Sequence, residues 1–419
     1  MSNIAKAFAT LYILCMATTA CNNDTDTPQP DREGPTTTVP ISIELGTEWN
    51  VNPDDGTRAA PPGSGTTSTS GSDSQTTDDG WEETKEINEV RIIAFRRADN
   101  SDVATASTNA DPFVYDPKND LRVAISEDKD YPDGDDAYAT SHKHRVAHAT
   151  IRKTYGYEYR IIALAYNKDC KIPYPLNSAQ PEGIDARMTL NLKEGTTLDE
   201  FSATFNGFSR KLISHYSDYT KISNYAIYIP QLFYGYCHST GYNDTTIKYA
   251  YGDEADVPIT GTLYRGMAEV ELQVKLTDHA TWGSIERSIT SADLLAYNIF
   301  TEVSLYDYDC FKSGKTLLAQ NYYSPIGYCK RENNSDEITI SAWILPCKTK
   351  LAMRAYMEGA TIGYQHAMGQ ICTDDVIAGD NATGVISPDA IDNVFYLRRN
   401  HKYVFKCSDS ETILKNHTL

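Results

Sequence analysis

Apolar and polar residues alternate with a period of two in many segments of the chain, which is typical of β-strands with one buried face. Clear examples are "EVRIIAFRRADN", "YRIIALAYN", "AEVELQVKL", "DEITISAWILP", "KLAMRAYME" and "VFYLRRNHKYVFKC". Helical periodicity is scarce, although Thr197 and Glu200 have capping-box spacing and predict a short helix. Short strands separated by Gly, Pro, Asn and Asp predict an all-β fold of antiparallel β-sandwiches with few short helices.

An isolated alternating segment, "TTTVPISIELGTEWNV", lies near the start of the sequence. Its apolar face consists of Val39, Ile41, Ile43 and Leu45. Because proline cannot donate to a sheet ladder, Pro40 predicts an edge strand or the beginning of one. Residues 52–80, which follow, are rich in Gly, Ser, Thr and Asp, and they are too numerous for an ordinary loop of a compact domain. We expect them to form an exposed, flexible connection.

The 419 residues are enough for two domains of ordinary size. A boundary near residue 260 separates the alternating segments into two groups. We therefore expect an N-terminal β-sandwich domain over residues 36–260, which includes the loop at 52–80, and a C-terminal β-sandwich domain over residues 261–419.

Residues 1–21, "MSNIAKAFATLYILCMATTAC", have the composition of a secretory signal. Lys6 precedes an apolar run that is too short to span a membrane, and small residues precede Cys21. These small residues resemble a lipobox, with threonine in place of the usual leucine. We expect Cys21 to be lipidated, with an ordinary cleaved signal as the alternative, and residues 22–35 to form a polar tether.

Charge and cysteine content restrict the possible functions. The net charge of −19 argues against nucleic acid or an anionic membrane surface as a partner, since both need a basic face. An exported chain can form disulfides, and the odd number of cysteines after Cys21 leaves at least one thiol unpaired if pairing is intramolecular. Which cysteines pair stays open. The seven cysteines after Cys21 are Cys170, Cys237, Cys310, Cys329, Cys347, Cys372 and Cys407.

Metal-binding patterns are weak. His142, His144 and His148 are close in sequence, but no carboxylate at fixed spacing accompanies them. The acidic segment from Asp128 to Asp136 lacks the ligand spacing of an EF-hand. The sequence therefore predicts no metal and no cofactor.

Catalytic patterns are weak as well. Cys237 and His238 are adjacent, so on a strand they point to opposite faces and are poorly placed as nucleophile and base. No GxSxG, HExxH, Walker or dinucleotide-binding motif occurs. We expect no enzymatic activity, although a glycosidase with paired carboxylates stays open in any acidic chain.

Four segments, taken in order, resemble the fimbrillins, or type V pilins, which are lipoprotein-derived pilus subunits of anaerobic bacteria. "EVRIIAFRRADN" resembles their first core strand, "YRIIALAYN" a later strand that ends in a turn, and "LYRGMAEVELQV" the strand that opens their C-terminal domain. The run from Arg399 to Tyr403 matches the RNHKY signature of a late strand in that domain. The matches span residues 36–406, and RNHKY is the specific one among them.

The resemblance implies two transthyretin-like β-sandwich domains and assembly by protease-triggered strand exchange. In fimbrillins a trypsin-like or Arg-specific protease cuts the loop after the first strand, and a strand of another subunit then replaces that strand. "GTRAAP" occupies the corresponding place here, so the resemblance predicts a cut between Arg58 and Ala59. The displaced strand would then carry Val39, Ile41, Ile43 and Leu45.

Composition supports this cut independently. Arg58 is the single Lys or Arg between Arg32 and Lys85. Proteases need exposed, extended backbone, and a segment of this composition does not fold by itself.

The segment that follows the RNHKY strand differs from that of stalk fimbrillins, which continue with an apolar donor stretch. From Ser408 to Leu419 the strongly apolar residues are Ile413, Leu414 and Leu419. We therefore expect a tip or accessory adhesin that accepts a strand and does not donate one. A basal anchor fits less well, since it should keep its lipid, avoid cleavage and possess a donor.

The resemblance places the lipid-anchored precursor in the outer membrane and the mature subunit in the fimbrium at the cell surface. Its expected partners are other pilin subunits, the maturation protease and a host glycan or protein. The main alternative is a surface-anchored glycan-binding lipoprotein that does not polymerise, because such a protein needs no cut at Arg58. A secreted hydrolase is a third possibility.

Overall fold

The structure is a computed structural model, and it describes the greater part of the chain outside the first residues. The described residues are 35–46, 84–99, 111–128, 144–174, 176, 179–209, 225–242, 244–248, 257–276, 280–282, 285–306, 315–316, 322–332, 335–357, 366–371, 393–407 and 410. The expected signal and tether, Cys21, the loop at 52–80 and the Arg58–Ala59 bond lie outside them.

Nearly all regular structure in these ranges is β-strand, which confirms the predicted all-β class. The strands up to residue 265 are β1 (Thr36–Leu45), β2 (Glu89–Ala98), β3 (Val114–Ala124), β4 (Ser126–Asp128), β5 (His144–Thr154), β6 (Tyr157–Tyr166), β7 (Met188–Leu190), β8 (Ser202–Phe205), β9 (Phe208–Ser209), β10 (Tyr225–Ala226), β11 (Leu232–Tyr236), β12 (His238–Ser239), β13 (Thr246–Lys248) and β14 (Ile259–Arg265).

The strands after residue 265 complete the β-structure of the described ranges. They are β15 (Ala268–Lys275), β16 (Ala280–Trp282), β17 (Ile285–Arg287), β18 (Ile289–Tyr297), β19 (Phe300–Ser304), β20 (Lys315–Thr316), β21 (Tyr323–Lys330), β22 (Glu337–Ile344), β23 (Cys347–Thr349), β24 (Leu351–Met357), β25 (His366–Gln370), β26 (Phe395–Leu397) and β27 (Lys402–Cys407).

Helical elements are short. Those with complete bounds in the described ranges are a helical turn, α1 (Ile184–Arg187), and a 3₁₀ turn at Leu198–Glu200. Glu200 Oε2 accepts a hydrogen bond from the backbone N–H of Thr197 at 3.2 Å, as the capping-box spacing predicted. No helix in the described ranges has the length and apolar character needed to cross a membrane.

The strands form one large sheet and several smaller ones. The large sheet has the order β3-β2-β6-β11-β14-β1-β5-β4, with β12 also paired to β14 and β13 to β6. The main sheets of the second half have the orders β22-β15-β27 and β21-β18-β24-β25. Pairing between the described strands is antiparallel, as expected, except that β1–β14 and β15–β27 are parallel pairs.

The large sheet is apolar on both faces. Side chains alternate across a strand, so the neighbours Ile92 and Ile93 point to opposite faces, and both are fully buried. Ile92 belongs to a core cluster that also contains the apolar face of β1. Ile93 belongs to a larger cluster that extends through the sheets of the second half to Phe405. The two halves of the chain therefore share a core.

The expected domain boundary between residues 260 and 261 falls inside β14. The whole of β14 belongs to the large sheet, and the chain passes to the next sheet at Gly266 and Met267. In addition, β19 of the second half pairs with β8 of the first, with Glu302 opposite Thr204. The chain thus leaves the large sheet a few residues after the expected boundary, and one smaller sheet contains strands from both halves.

The segment "VFYLRRNHKYVFKC", expected to be one strand, is broken in the structure. A turn at residues 398–401 separates β26 from β27, and Asn400 in this turn has a φ of 55°. Asparagine is among the residues that tolerate this left-handed conformation. The RNHKY motif therefore contains a turn followed by the beginning of a strand.

The turn of the RNHKY motif packs where β14 leads into β15. The backbone N–H of Asn400 donates to the carbonyl of Met267 at 2.8 Å, and that of Glu269 donates to the carbonyl of His401 at 2.9 Å. The buried guanidinium of Arg399 lies 4.7 Å from the ring centroid of Tyr234, a residue of β11. The motif thus joins the large sheet to the second half of the molecule.

Gly266 lies at the same junction, and its backbone N–H donates to the carbonyl of Leu232 at 2.8 Å. A Cβ atom at this position would overlap the buried ring of Tyr234. The residue therefore has to be glycine for steric reasons.

We expect Gly266→Ala to destabilise the protein by about 1–3 kcal/mol or more, because the Tyr234 ring has to leave its position in a packed core. The measurement is urea unfolding followed by circular dichroism. Gly195→Ala is the matched control: its Cβ would meet no atom within 4 Å, but its φ of +85° carries strain of about 1–2 kcal/mol. Losses of equal size in the two variants would contradict the steric role of Gly266.

Candidate functional site

The β1 strand is an interior strand of the large sheet. It pairs antiparallel with β5 from Thr36 to Glu44, and it pairs in parallel with β14 from Ile41 to Leu45. The prediction of an edge strand from Pro40 is therefore wrong. Pairing with β14 begins at Ile41, one residue after Pro40. The proline, which has no backbone N–H, is therefore not needed as a donor to β14.

The apolar face of β1 is completely enclosed. The relative exposures of Val39, Ile41, Ile43 and Leu45 are 0%, 1%, 0% and 3%. These side chains pack in a cluster with residues of β2, β5, β6, β11 and β14. Burial of an aliphatic side chain contributes about 1.5–3 kcal/mol, so the four together contribute about 6–12 kcal/mol to the attachment of β1.

Other strands keep β14 in place independently of β1. On the edge of β14 away from β1, Phe233 and Tyr234 of β11 pair with Arg265 and Tyr264. Further along the same edge, β12 pairs with β14, with His238 opposite Thr260. β14 would therefore remain part of the sheet if β1 were absent.

The far edge of β5 is held mainly by a side chain. The short strand β4 covers β5 only from His144 to Val146. Further along β5, Asn119 Nδ2 donates to the carbonyl of Arg152 at 2.8 Å, and Asn119 Oδ1 accepts from the N–H of Arg152 at 2.9 Å. The amide of Asn119 thus bonds to β5 as a neighbouring strand would.

An irregularity in the β2–β3 ladder positions Asn119. The register shifts between Ile93, which is opposite Asp120, and Ala94, which is opposite Asp116. β3 therefore has extra residues at this point, and such bulges redirect side chains. Asn119 is 2% exposed, and its Nδ2 also donates to Asp116 Oδ2 at 2.9 Å.

Two further contacts hold β5 at its ends. Arg145 Nη2 donates to the carbonyl of Ile87 at 2.6 Å. At the other end, the N–H of Thr154 donates to the hydroxyl oxygen of Tyr159 at 2.9 Å. Burial raises the pKa of Tyr159, so this phenol remains neutral as an acceptor.

Cys237 lies beside the β1 strand. A Cβ atom built on Gly261, the residue paired with Ile43, would lie 2.9 Å from Cys237 Sγ and 3.3 Å from Ile43 Cδ1. The thiol is fully buried in the same cluster as the β1 side chains. Its accessibility should therefore depend on whether β1 is present.

The electrostatic environment opposes a nucleophilic pair of Cys237 and His238. Burial raises the pKa of the Cys237 thiol and lowers the pKa of the His238 imidazole. Both shifts favour the neutral forms, whereas a reactive pair needs a thiolate and an imidazolium.

The other groups singled out in the sequence do not form a metal centre in the described residues. His148 is exposed on β5 opposite Ser42, and His142 lies outside the described ranges. In the part of the chain that the structure describes, no group of three or more His, Cys, Asp and Glu side chains is arranged to hold a metal ion. Cys170, Cys237 and Cys329 are free thiols.

No protein-family model and no curated protein matches this chain. Among solved structures, a candidate adhesin of Bacteroides ovatus is 9% identical, with 80% of this chain and 83% of that chain covered and a TM-score of 0.35. A candidate cell adhesion protein of Bacteroides fragilis is 11% identical, with 88% and 92% covered and a TM-score of 0.33. The tip fimbrial protein Mfa3 of Porphyromonas gingivalis is 8% identical, with 88% and 94% covered and a TM-score of 0.28. Likeness at this level supports no conclusion about the present chain.

We expect Ile41→Asp to weaken the attachment of β1 strongly, because it places a carboxylate without a partner in an apolar cluster. Ser42→Asp is the matched control, since the neighbouring side chain is only partly buried. Hydrogen exchange of the backbone amides of β1 and β5 should accelerate in Ile41→Asp and change little in Ser42→Asp. Equal acceleration in both variants would contradict the asymmetry of the two faces.

We expect Asn119→Ala to destabilise the protein by about 1–3 kcal/mol, because it removes both hydrogen bonds between the buried Asn119 amide and the backbone of Arg152. Asn191→Ala is the control, because the Asn191 side chain makes one exposed bond, to the carbonyl of Glu200 at 3.2 Å. Urea unfolding measures both variants. A loss of stability in Asn119→Ala no larger than in Asn191→Ala would show that the Asn119 amide does not support β5.

Proposed function

We propose that this protein is a pilus subunit whose β1 strand is replaced by a strand of another subunit after cleavage at Arg58–Ala59. One structural observation supports the proposal above all others: β1 is an interior strand whose four apolar side chains are buried, while β5 and β14 have contacts of their own that do not involve β1. The sequence resemblance to fimbrillins supplies the protease step.

Removal of β1 would leave a groove with two pairing edges. Backbone groups of β5 and β14 would face each other across the vacant position, and the sockets of Val39, Ile41, Ile43 and Leu45 would form its floor. An added strand gains affinity from backbone hydrogen bonds, and its alternate side chains set the register. The groove therefore suits a strand with apolar residues at every second position.

Cleavage would change the connection of β1 rather than its contacts. While β1 is covalently attached, its high effective concentration opposes any competing strand. After a cut at Arg58, a strand that leaves can diffuse away, and a strand from another subunit can take its place. The competing strand has to compensate for the burial of the four apolar side chains of β1.

The remaining elements of the proposal rest on the sequence. They are a precursor lipidated at Cys21 in the outer membrane, a mature subunit in the fimbrium, and a trypsin-like or Arg-specific maturation protease as a partner. The role is structural and adhesive rather than enzymatic. The expected tip or accessory position would be contradicted if the trypsin-treated protein polymerised with itself.

The test combines limited proteolysis with thiol labelling. We expect trypsin to produce a large fragment that begins at Ala59, and Arg58→Ala to prevent this cut, because Arg58 is the only tryptic site between Arg32 and Lys85. Arg32→Ala is the control, because a cut after Arg32 leaves β1 connected to the rest of the chain. Peptide mass spectrometry should then show faster alkylation of Cys237 in the cut protein than in trypsin-treated Arg58→Ala, because the cut strand can leave the groove.

A peptide with the native β1 sequence should restore the protection of Cys237, and a peptide that carries Ile41→Asp should not. Protection that persists in the cut protein under all these conditions would contradict strand exchange. On the surface of the bacterium, a mature N-terminus at lipidated Cys21 would favour the glycan-binding lipoprotein instead.

A further inference from the structure

A cleft of about 410 Å³ lies where the large sheet meets the sheet that contains β22. It is lined by the loop after β6, the residues before β2 and β11, and one side chain of β22, and no β1 residue contributes to it. The lining residues are Glu86, Ile87, Asn167, Asp169, Cys170, Lys171, Tyr228, Pro230, Gln231 and Trp343. Its volume is within the range of about 300–1,000 Å³ that is usual for small-molecule sites.

A network of hydrogen bonds fixes two polar side chains of the cleft. Asn88 Nδ2 donates to Asp169 Oδ2 at 3.0 Å and to Asn167 Oδ1 at 3.3 Å. The backbone N–H of Asp169 also donates to Asn167 Oδ1, at 3.0 Å. Asn167 therefore has its amide nitrogen left to donate, and Asp169 has a second carboxylate oxygen left to accept. Both groups are held in place before any ligand arrives.

Gln231 supplies an unused donor in the same cleft. Its Nε2 atom is inaccessible to solvent and has no hydrogen-bond partner. A buried donor without a partner costs about 1–3 kcal/mol, so such groups are uncommon in folded proteins. A ligand oxygen in the cleft would provide the missing acceptor once the Gln231 side chain turned toward it.

Two aromatic side chains complete the lining. Trp343 lies on the outward face of β22, where the other outward residues are Glu337, Thr339 and Ser341. Tyr228 lies across the cleft, and burial raises its pKa to about 12, so its hydroxyl stays neutral. A flat apolar ring beside fixed polar groups is suited to the face of a sugar ring and its hydroxyls.

The charges of the cleft limit the ligand further. Glu86 and Asp169 are carboxylates, and Lys171 is the single cation among the lining residues. This balance opposes an anionic ligand such as a sialic acid. A sugar hydroxyl both donates and accepts, so it can use a carboxylate acceptor and an amide donor together, whereas each backbone group of a peptide does only one of these.

We propose that this cleft binds an uncharged sugar residue of a glycan. Asp169 and Asn167 bind its hydroxyls, Gln231 donates to a ring or hydroxyl oxygen, and Trp343 packs against the ring. This inference goes beyond pilus assembly, because it identifies the chemical class of an adhesive ligand. It does not depend on cleavage at Arg58 or on release of β1, so its test uses the intact protein.

The test is a glycan array of neutral and sialylated oligosaccharides, followed by calorimetric titration with the best neutral binder. We expect binding to neutral glycans, and a dissociation constant at least about fivefold higher in Asp169→Asn and in Gln231→Leu, because each loses one hydrogen-bonding group. Trp343→Ala should weaken binding at least as much, through loss of ring packing. Tyr242→Ala is the control, because Tyr242 is 53% exposed and does not line the cleft.

Unfolding measurements distinguish a ligand site from a structural one. Gln231→Leu removes a buried donor that has no partner, so its stability should equal or exceed that of the native protein while binding falls. A clear loss of stability in Gln231→Leu would indicate a structural role and overturn the assignment. The proposal would also be overturned by the absence of neutral-glycan binding, by binding that these variants leave unchanged, or by selective binding of a peptide or sialylated glycan.

Discussion

The large sheet depends on the β1 strand, because β1 is the element that joins β5 to β14. It does so with two ladders of opposite type, antiparallel to β5 and parallel to β14. The buried side chains of Val39, Ile41, Ile43 and Leu45 close the core cluster beneath it. A strand with so many contacts contributes strongly to stability, and another strand can take its place only if it reproduces both the ladders and the apolar face.

The rest of the sheet contains features that would limit the cost of losing β1. On one side, β11 and β12 cover the second edge of β14, and the chain after β14 is locked by Gly266 and the turn at Asn400. On the other side, the Asn119 amide takes the place of a strand along β5. These contacts satisfy backbone groups along the outer edges of β5 and β14. Both walls of the groove are therefore held from outside.

The sequence predicts the strands of this fold better than their arrangement. Period-two alternation identified β2, β6, β15, β22 and β24, because each buries alternate side chains in a core. It placed β1 at an edge because of Pro40. That was wrong, because the parallel partner β14 pairs with β1 only from Ile41 onward. The residues around Pro40 do not reveal where a strand so distant in the sequence begins to pair. It also joined β26 to β27, since a single residue in the left-handed conformation, Asn400, leaves no trace in the hydrophobic pattern.

Of the candidate site, the sequence indicated the apolar face of β1 but not its surroundings. Asn119 lies in "DPKND", which has the composition of a turn although it belongs to β3, and its partner Arg152 is 33 residues away. The signal that could have revealed β3 is the pair of apolar runs on either side, "FVY" and "LRVA". The cleft was equally hidden, since Asp169, Gln231 and Trp343 come together only when the two sheets pack.

The groove and the cleft share one residue, Ile87, which lines the cleft and packs in the cluster beneath β1. The proposed strand replacement would act on the face of the large sheet that packs beneath β1, whereas the rest of the cleft is formed by loops at the junction with β22. An exchanged strand that fills the positions of the same four side chains makes the same contacts as β1. The residues around the cleft then gain no new contacts. Such a strand would also keep Ile87 in place, so coupling between the proposed assembly and the proposed ligand binding would be small, because allosteric coupling requires a ligand to bind two states of the protein with different affinity.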